Sequence, residues 1–228
     1  MNKKPPSKKH AAKLAIYEQF ARLGKALSAP SRLELLDLLM QAERSVDSLA
    51  KEAQLSVANT SQHLQVLHTA RLVESRREGQ RIYYRVADGN VELLWAALTE
   101  TARSQLADLN GVALAYLGGG DKLERIERAE LLRRMKMGTV TLIDVRPRQE
   151  YEAAHLPGAI SVPMDEVAGW ARKAPKRKHV VAYCRGPYCV YAINAVAELR
   201  KRGLSAMRST DGVVEWRRAG LPLETRAA

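Results

Sequence analysis

Residues 55–73 read LSVANTSQHLQVLHTARLV, and this stretch decides the fold of the first half of the chain. Thr60, Leu64 and Leu67 recur at helical spacing, so we predict a helix over residues 57–70 that turns these three side chains towards a core. A tight turn, Gln-Leu-Ser, comes directly before this helix. Two helices joined by such a turn form a helix-turn-helix unit.

Apolar periodicity and turn residues predict further elements on both sides of this unit. They are helices over about 10–27, from Pro30, over 46–53 and over 91–117, and a β-hairpin formed by 72–75 and 82–86 around a turn at 78–80. Ser45 is suited to cap the helix that starts at residue 46. A helix-turn-helix followed by a hairpin makes a mainly α, winged helix-turn-helix domain.

One face of the 57–70 helix is polar and carries amide and imidazole side chains. Asn59, Gln62 and His63 fall at i, i+3 and i+4, where they suit hydrogen bonding to base edges in a major groove. The hairpin tip is basic and could lay guanidinium groups on phosphates. For any single residue the alternative is an ordinary solvated surface. The residues from which we expect DNA contacts are Ser56, Asn59, Gln62, His63, Arg76, Arg77 and Arg81.

Residues 27–39 (LSAPSRLELLDLL) and 45–86, with the long helix after them, resemble the ArsR family of bacterial repressors over about residues 10–117. The resemblance implies a homodimer, paired through the first and last helices of this domain, on a pseudo-palindromic operator in double-stranded DNA. Many ArsR relatives sense metals. Here SVDSLA (45–50) contains no cysteine and the helix at 91–109 contains no histidine, so we expect no metal site.

The composition favours two soluble domains inside a cell. The 228 residues suffice for two domains of roughly 100 residues each, and no apolar stretch approaches the ~18 residues of a membrane span. The net charge of +12 favours a polyanionic partner. The basic first residues lack the apolar core of a secretory signal. The two cysteines suit a reducing compartment, so we expect a cytoplasmic protein without membrane contact.

The chain divides at its glycine-rich segment. We predict a flexible basic arm at 1–9, the first domain at 10–117, a linker at 118–121 and a second domain at 122–226. Helical and strand signals alternate after the linker, with helices over 127–136 and 190–202 and strands over 140–145 and 180–183. This alternation predicts an α/β domain with a largely parallel sheet.

Cys184 follows the second of these strands, and a helix begins about five residues later. Loop amides and a helix N-terminus stabilise an anion, so a cysteine placed there favours the nucleophilic thiolate. Arg185 adds positive charge. The alternative is a buried structural cysteine. The polar, glycine-containing loop CRGPYC (184–189) favours the reactive interpretation.

Three segments in order, 142–163, 180–189 and 211–224, resemble the rhodanese family over about residues 122–226. The resemblance implies a possible sulfurtransferase. Cys184 would take sulfur from a sulfane-sulfur donor, hold it as a persulfide among the loop amides, and pass it to an acceptor thiol. No cofactor is expected. The candidate catalytic residues are Cys184, Arg185, Gly186, Tyr188, Cys189, Asp144 and Arg146.

The loop also departs from its relatives. Related phosphatases and arsenate reductases carry an arginine six residues after the cysteine, where this chain has Val190, so those activities are not expected. Tyr188 stands where a second basic residue is often found, and Pro187 supplies no amide, which favours persulfide or polysulfide donors over thiosulfate. Cys189 has two interpretations: a thiol that resolves a Cys184 persulfide, or a small residue at a helix start.

Three functions follow from these observations. The first is a DNA-binding regulator that senses or handles sulfane sulfur. The second is a sulfurtransferase with an accessory DNA-binding domain. The third is a repressor with an inert rhodanese module. The helix-face pattern favours the first and third, whereas the intact Cys184 favours the first and second, so we favour the first.

Overall fold

The computed structural model describes residues 7–118, 125–175 and 179–225. Cα proximity divides the chain into two compact units, residues 1–92 and 93–228. The predicted linker at 118–121 and most of the predicted arm at 1–9 lie outside the described residues, although the first helix already begins at Lys8. The predicted domain boundary after residue 117 stays a prediction.

The first unit is the predicted winged helix-turn-helix. Its elements are α1 (Lys8–Leu27), α2 (Pro30–Gln41), β1 (Arg44–Ser45), α3 (Val46–Glu52), α4 (Val57–Thr69), β2 (Val73–Glu78) and β3 (Arg81–Val86). The strands form an antiparallel sheet in the order β1-β3-β2. The Ser45 hydroxyl accepts a hydrogen bond from the Ser48 amide at 3.2 Å, which confirms the predicted cap of α3.

The long helix predicted over 91–117 is instead two helices, α5 (Gly89–Gln105) and α6 (Ala107–Tyr116). Leu106 lies between them with an extended backbone, φ −96° and ψ 99°, so the helical hydrogen-bond ladder stops there. The Leu106 carbonyl then accepts from the Leu109 amide at 3.1 Å and starts α6. No proline or glycine marks the break, so the sequence pattern did not reveal it.

The α/β part confirms the prediction of a parallel sheet. Its elements are β4 (Arg125–Ile126), α7 (Arg128–Lys136), β5 (Val140–Asp144), α8 (Arg148–Ala153), β6 (Ile160–Ser161), a 3₁₀ turn (Met164–Glu166), α9 (Val167–Ala171), β7 (His179–Tyr183), α10 (Val190–Lys201), β8 (Ala206–Ser209) and α11 (Val213–Arg218). The strand order is β4-β8-β7-β5-β6, and each of these neighbouring pairs is parallel. Within the described ranges, no helix combines the length and the apolar character needed to cross a bilayer.

The central strand β7 positions the cysteine loop. Its residues Val180 to Tyr183 are all buried, as expected for a strand covered on both faces. Asp144 at the end of β5 is the register partner of Tyr183 at the end of β7. Because the carboxyl ends of parallel strands meet at one edge of a sheet, Cys184 and the residues that follow β5 come together there.

Candidate functional site

Helix α4 presents the polar face that the sequence predicted. Thr60, Leu64 and Leu67 have no exposed surface, which confirms their predicted core positions. Gln62 is exposed, and Asn59 and His63 are half-buried on other sides of the helix. Ser56 caps the helix, because its hydroxyl accepts a hydrogen bond from the Asn59 amide at 3.2 Å.

A hydrogen bond fixes the hairpin of β2 and β3 against α4. Gln65 Nε2 donates to the hydroxyl of Tyr84 at 3.2 Å, and the Tyr84 side chain is 2% exposed. The ring of His68 meets the Tyr84 ring edge-on, with the centroids 6.4 Å apart. The hairpin therefore has a defined orientation relative to the polar face of α4.

The three hairpin arginines differ in their partners. Arg76 forms ion pairs of 2.5 Å with both Glu43 and Glu78, and its guanidinium lies 4.6 Å from the ring centroid of Tyr83. Hydrogen bonds to Glu43 and Glu78 raise the pKa of Arg76. Arg77 Nε donates to the carbonyl of Gly79 at 3.1 Å. Arg81 is exposed and makes no ion pair with any residue that the structure describes.

The cysteine loop connects β7 to α10. The Cys184 side chain is 2% exposed, and the structure joins it to Cys189 in a disulfide with the two Cα atoms 6.4 Å apart. This separation lies within the usual range for a disulfide, about 4.4–6.8 Å. The Cys189 amide donates to the Gly186 carbonyl at 3.3 Å. The two sulfur atoms therefore meet within one loop, a contact that the sequence alone left open.

A buried network of charges supports this loop. Arg146 Nη2 donates to Asp144 Oδ2 at 2.6 Å, and neither side chain has exposed surface. The Tyr183 hydroxyl donates to the same Asp144 oxygen at 2.7 Å. Arg146 Nη1 lies 3.9 Å from Glu150 Oε2, and Glu150 Oε1 in turn accepts from Arg185 Nη2 at 2.6 Å. Asp144 and Arg146 therefore reach the loop through Glu150 and Arg185.

The network changes the role expected for Arg185. Its guanidinium is held by the fully buried carboxylate of Glu150 and lies 5.5 Å from the Tyr191 ring centroid. The positive charge beside Cys184 is thus compensated by a carboxylate. This leaves the backbone amides and the start of α10 as the positive groups of the loop.

Gly212 and Glu215, at the start of α11, hold the loop from the other side. A Cβ at Gly212 would collide with the carbonyl oxygen of Cys184 and lie 2.9 Å from both Arg185 C and Gly186 N. The Glu215 carboxylate accepts from the Gly212 amide at 2.9 Å, and its Oε1 would lie 3.0 Å from a Cβ on Gly186. Gly186 has a φ of +128°, which an L side chain rarely adopts. Burial raises the pKa of Glu215.

Sequence reasoning missed four of the residues that shape this loop: Tyr183, Glu150, Gly212 and Glu215. Their side chains act across elements that are far apart in the chain, so no local spacing connects them. The available signals were a polar ring at the end of an apolar strand and a glycine before an acidic, helix-starting segment. In the ranges described, no group of three His, Cys, Asp or Glu side chains is arranged to hold a metal ion.

Comparison with known proteins agrees with both halves. The model "Bacterial regulatory protein, arsR family" matches residues 29–75, and "Rhodanese-like domain" matches residues 127–219. The chain is 46% identical over 215 residues to the HTH-type transcriptional regulator Rv0324 of Mycobacterium tuberculosis, covering 94% of each. It is 36% identical over 83 residues to the transcriptional repressor SmtB homolog of Synechocystis, covering 36% of this chain and 63% of that one.

Among solved structures, the homodimeric winged helix-turn-helix DNA-binding domain (fragment 1–100) of Mb0332 from Mycobacterium bovis is 41% identical. It covers 46% of this chain and 94% of that chain, with a TM-score of 0.40.

The fold and its two sites define a winged helix-turn-helix protein with a C-terminal α/β domain built around a cysteine loop. The chain belongs to the ArsR family of bacterial transcriptional regulators and carries a rhodanese-like domain in its second half.

Proposed function

We propose that this regulator is a repressor whose affinity for its operator depends on sulfur bound at Cys184. The observation that carries the proposal is the contact between Cys184 and Cys189 in a loop next to a helix N-terminus. That loop can hold a persulfide and can also discharge it. Because a bacterial regulator must reach the chromosome, the proposal places the protein in the cytoplasm.

The proposed regulator binds DNA as a homodimer. In α1, only Ala26 is buried, whereas apolar side chains such as Ile16, Tyr17 and Phe20 are more than half exposed. In α5, Leu93 is 63% exposed. Exposed apolar faces of this kind favour contact with another protein surface. A second copy, paired through the first and last helices as in the ArsR family, would cover them and present two copies of α4 to successive major grooves.

Base recognition should depend on Gln62 and His63. We expect the double change Gln62→Ala and His63→Ala to relax sequence preference, with a loss of ~1–3 kcal/mol for each base contact removed. The measurement is a titration of the promoter fragment against random duplex DNA at fixed salt. An unchanged preference for the promoter would show that α4 does not read base edges through these side chains.

The hairpin arginines provide a matched comparison. Arg81→Ala should weaken binding to all duplexes alike and lower the salt slope by about one, because a phosphate contact is lost. Arg76→Ala should change the slope less, since Glu43 and Glu78 already hold that guanidinium. Equal slopes for the two variants would contradict this assignment.

Sulfur loading requires only a thiolate and a sulfane-sulfur donor, written R–S–SH. The Cys184 thiolate attacks the outer sulfur of the donor, the bond between the two donor sulfurs breaks, and R–S⁻ leaves. Cys184 then carries the persulfide –S–SH. The amides of Gly186 and Tyr188, which donate to no acceptor in the described part of the chain, are available to hold the terminal sulfur.

Cys189 can then discharge the persulfide. Its thiolate attacks the Sγ atom of Cys184, the bond to the outer sulfur breaks, and hydrosulfide leaves as the Cys184–Cys189 disulfide forms. The cysteine pair loses two electrons and the outer sulfur gains them. Two molecules of an acceptor thiol reduce the disulfide and become a disulfide themselves, which resets the loop.

Intact-protein mass spectrometry tests this chemistry. After brief treatment with polysulfide, the reduced chain should gain about 32 Da, the mass of one sulfur atom, or lose about 2 Da where the disulfide has formed. Peptide mapping should place either change on the peptide that contains Cys184. A chain whose mass is unchanged by polysulfide would contradict the proposal.

A further inference from the structure

A cavity of about 740 Å³ lies beside the cysteine loop, within the unit formed by residues 93–228. Pro187 and Tyr188 of the loop contribute to its wall, as do Leu114 and Leu117 at the end of the α6 region. Binding sites for small molecules usually span about 300–1,000 Å³. The cavity is therefore large enough for a ligand of several residues' size, far larger than thiosulfate.

Two arginines stand side by side in the cavity wall. Arg125 of β4 and Arg208 of β8 are register partners on adjacent parallel strands, and both line the cavity. Like charges directly opposite one another in a sheet are unfavourable, and an anion placed between them removes that cost. Arg208 is 3% exposed. Burial and the charge of Arg125 together lower the pKa of Arg208, which is consistent with closely spaced cations.

The rest of the wall contains charges of both signs. Arg128 is ion-paired with Asp211, and Arg103 of α5 lies 3.3 Å from Glu100. Both pairs line the same cavity, together with Glu215. A ligand that carries carboxylates and an ammonium group can match such a wall. A ligand with no charge would leave the Arg125–Arg208 repulsion uncompensated.

We infer that this cavity binds a low-molecular-mass thiol built from amino acids, with a carboxylate on Arg125 and Arg208 and its sulfur directed to the cysteine loop. The inference rests on the proposed sulfur chemistry and names the class of donor or acceptor that serves it. In the transfer step, the ligand persulfide gives its outer sulfur to the Cys184 thiolate and leaves as the thiolate. Because Glu100, Arg103 and Leu114 also line the cavity, the bound thiol contacts α5 and α6 as well as the loop.

Two measurements on the full chain test the inference. The first is calorimetric titration with S-methylglutathione, which has carboxylates and an ammonium group but no transferable sulfur. The second is the rate of Cys184 loading by glutathione persulfide and by the uncharged 2-hydroxyethyl persulfide. Arg125→Gln removes one cation from the wall. Arg172→Gln, at an exposed position after α9 that is not part of the wall, is the control with the same change in charge.

We expect S-methylglutathione to bind saturably and Arg125→Gln to weaken this binding about tenfold, the loss typical of a charge-assisted hydrogen bond. The same variant should lower loading by glutathione persulfide to a similar extent and leave loading by the uncharged donor unchanged. Arg172→Gln should behave like the parent chain. Absent binding, or equal losses in the two variants, would overturn the inference. If neither donor loads Cys184, the proposed sulfur chemistry fails, and the calorimetric titration still decides whether the cavity binds this class of molecule.

Discussion

A Cys184→Ser chain should gain no sulfur from polysulfide, whereas a Cys189→Ser chain should accumulate a persulfide of about 32 Da. Serine at position 184 removes the only thiol at the end of β7, and its hydroxyl is not a useful nucleophile at neutral pH. Serine at position 189 leaves Cys184 able to accept sulfur and removes the thiol that would displace it as hydrosulfide. The two variants differ by the same single atom, so they separate uptake of sulfur from its discharge.

The measurement is intact mass after a timed exposure to polysulfide, with thermal unfolding recorded for each variant as a control for folding. If Cys184→Ser gains sulfur and Cys189→Ser does not, the reactive residue has been misassigned. If both variants gain sulfur equally, the label is not specific to the loop. Either result would contradict the chemistry proposed for β7 and α10.

Gly212→Ala should lower the rate of sulfur loading about 100-fold, the loss that a displacement near 1 Å in a reacting group can cause. The added Cβ would collide with the Cys184 carbonyl oxygen and with the backbone of Arg185 and Gly186, so the loop must move. The backbone cannot yield as a flexible side chain would. Promoter binding by the reduced chain should persist, because α4 and the hairpin belong to the other compact unit.

Gly169→Ala is the matched control for this change. Gly169 lies in α9 of the same domain, and a Cβ there would meet only the end of the Arg172 side chain, at 3.8 Å. Loading by Gly169→Ala should equal that of the parent chain. A Gly212→Ala chain that melts cooperatively and loads sulfur at the parental rate would show that contact with α11 does not position the loop.

The sequence predicted the elements whose signal is local. The spacing of Thr60, Leu64 and Leu67 was enough to place α4 and its core face, and the run of apolar residues before Cys184 was enough to place β7. The break at Leu106 was missed, because nothing in the local residue types distinguishes it from a continuous helix. Strand β1 was also missed, since two residues give no detectable alternation.

The site was predicted in part for the same reason. Cys184 and Cys189 share one loop, so their proximity could be considered from the sequence, although their contact could not be decided. The partner of Arg185 could not be foreseen, because Glu150 lies on a different element and reaches it only after the sheet has assembled. Gly212 is required by a close approach of two backbones, which no pattern within its own segment expresses.

The affinity of one chain for its promoter in two sulfur states tests the central claim most directly. The reduced chain and the polysulfide-treated chain should be titrated on the same fragment at the same salt concentration, because salt alone changes such affinities strongly. We predict a difference of about 5–150-fold, corresponding to a coupling of ~1–3 kcal/mol, that disappears in Cys184→Ser. Equal affinities in the two states, with loading of Cys184 verified in the same samples, would contradict the claim and leave a repressor and a sulfur-binding domain that act independently.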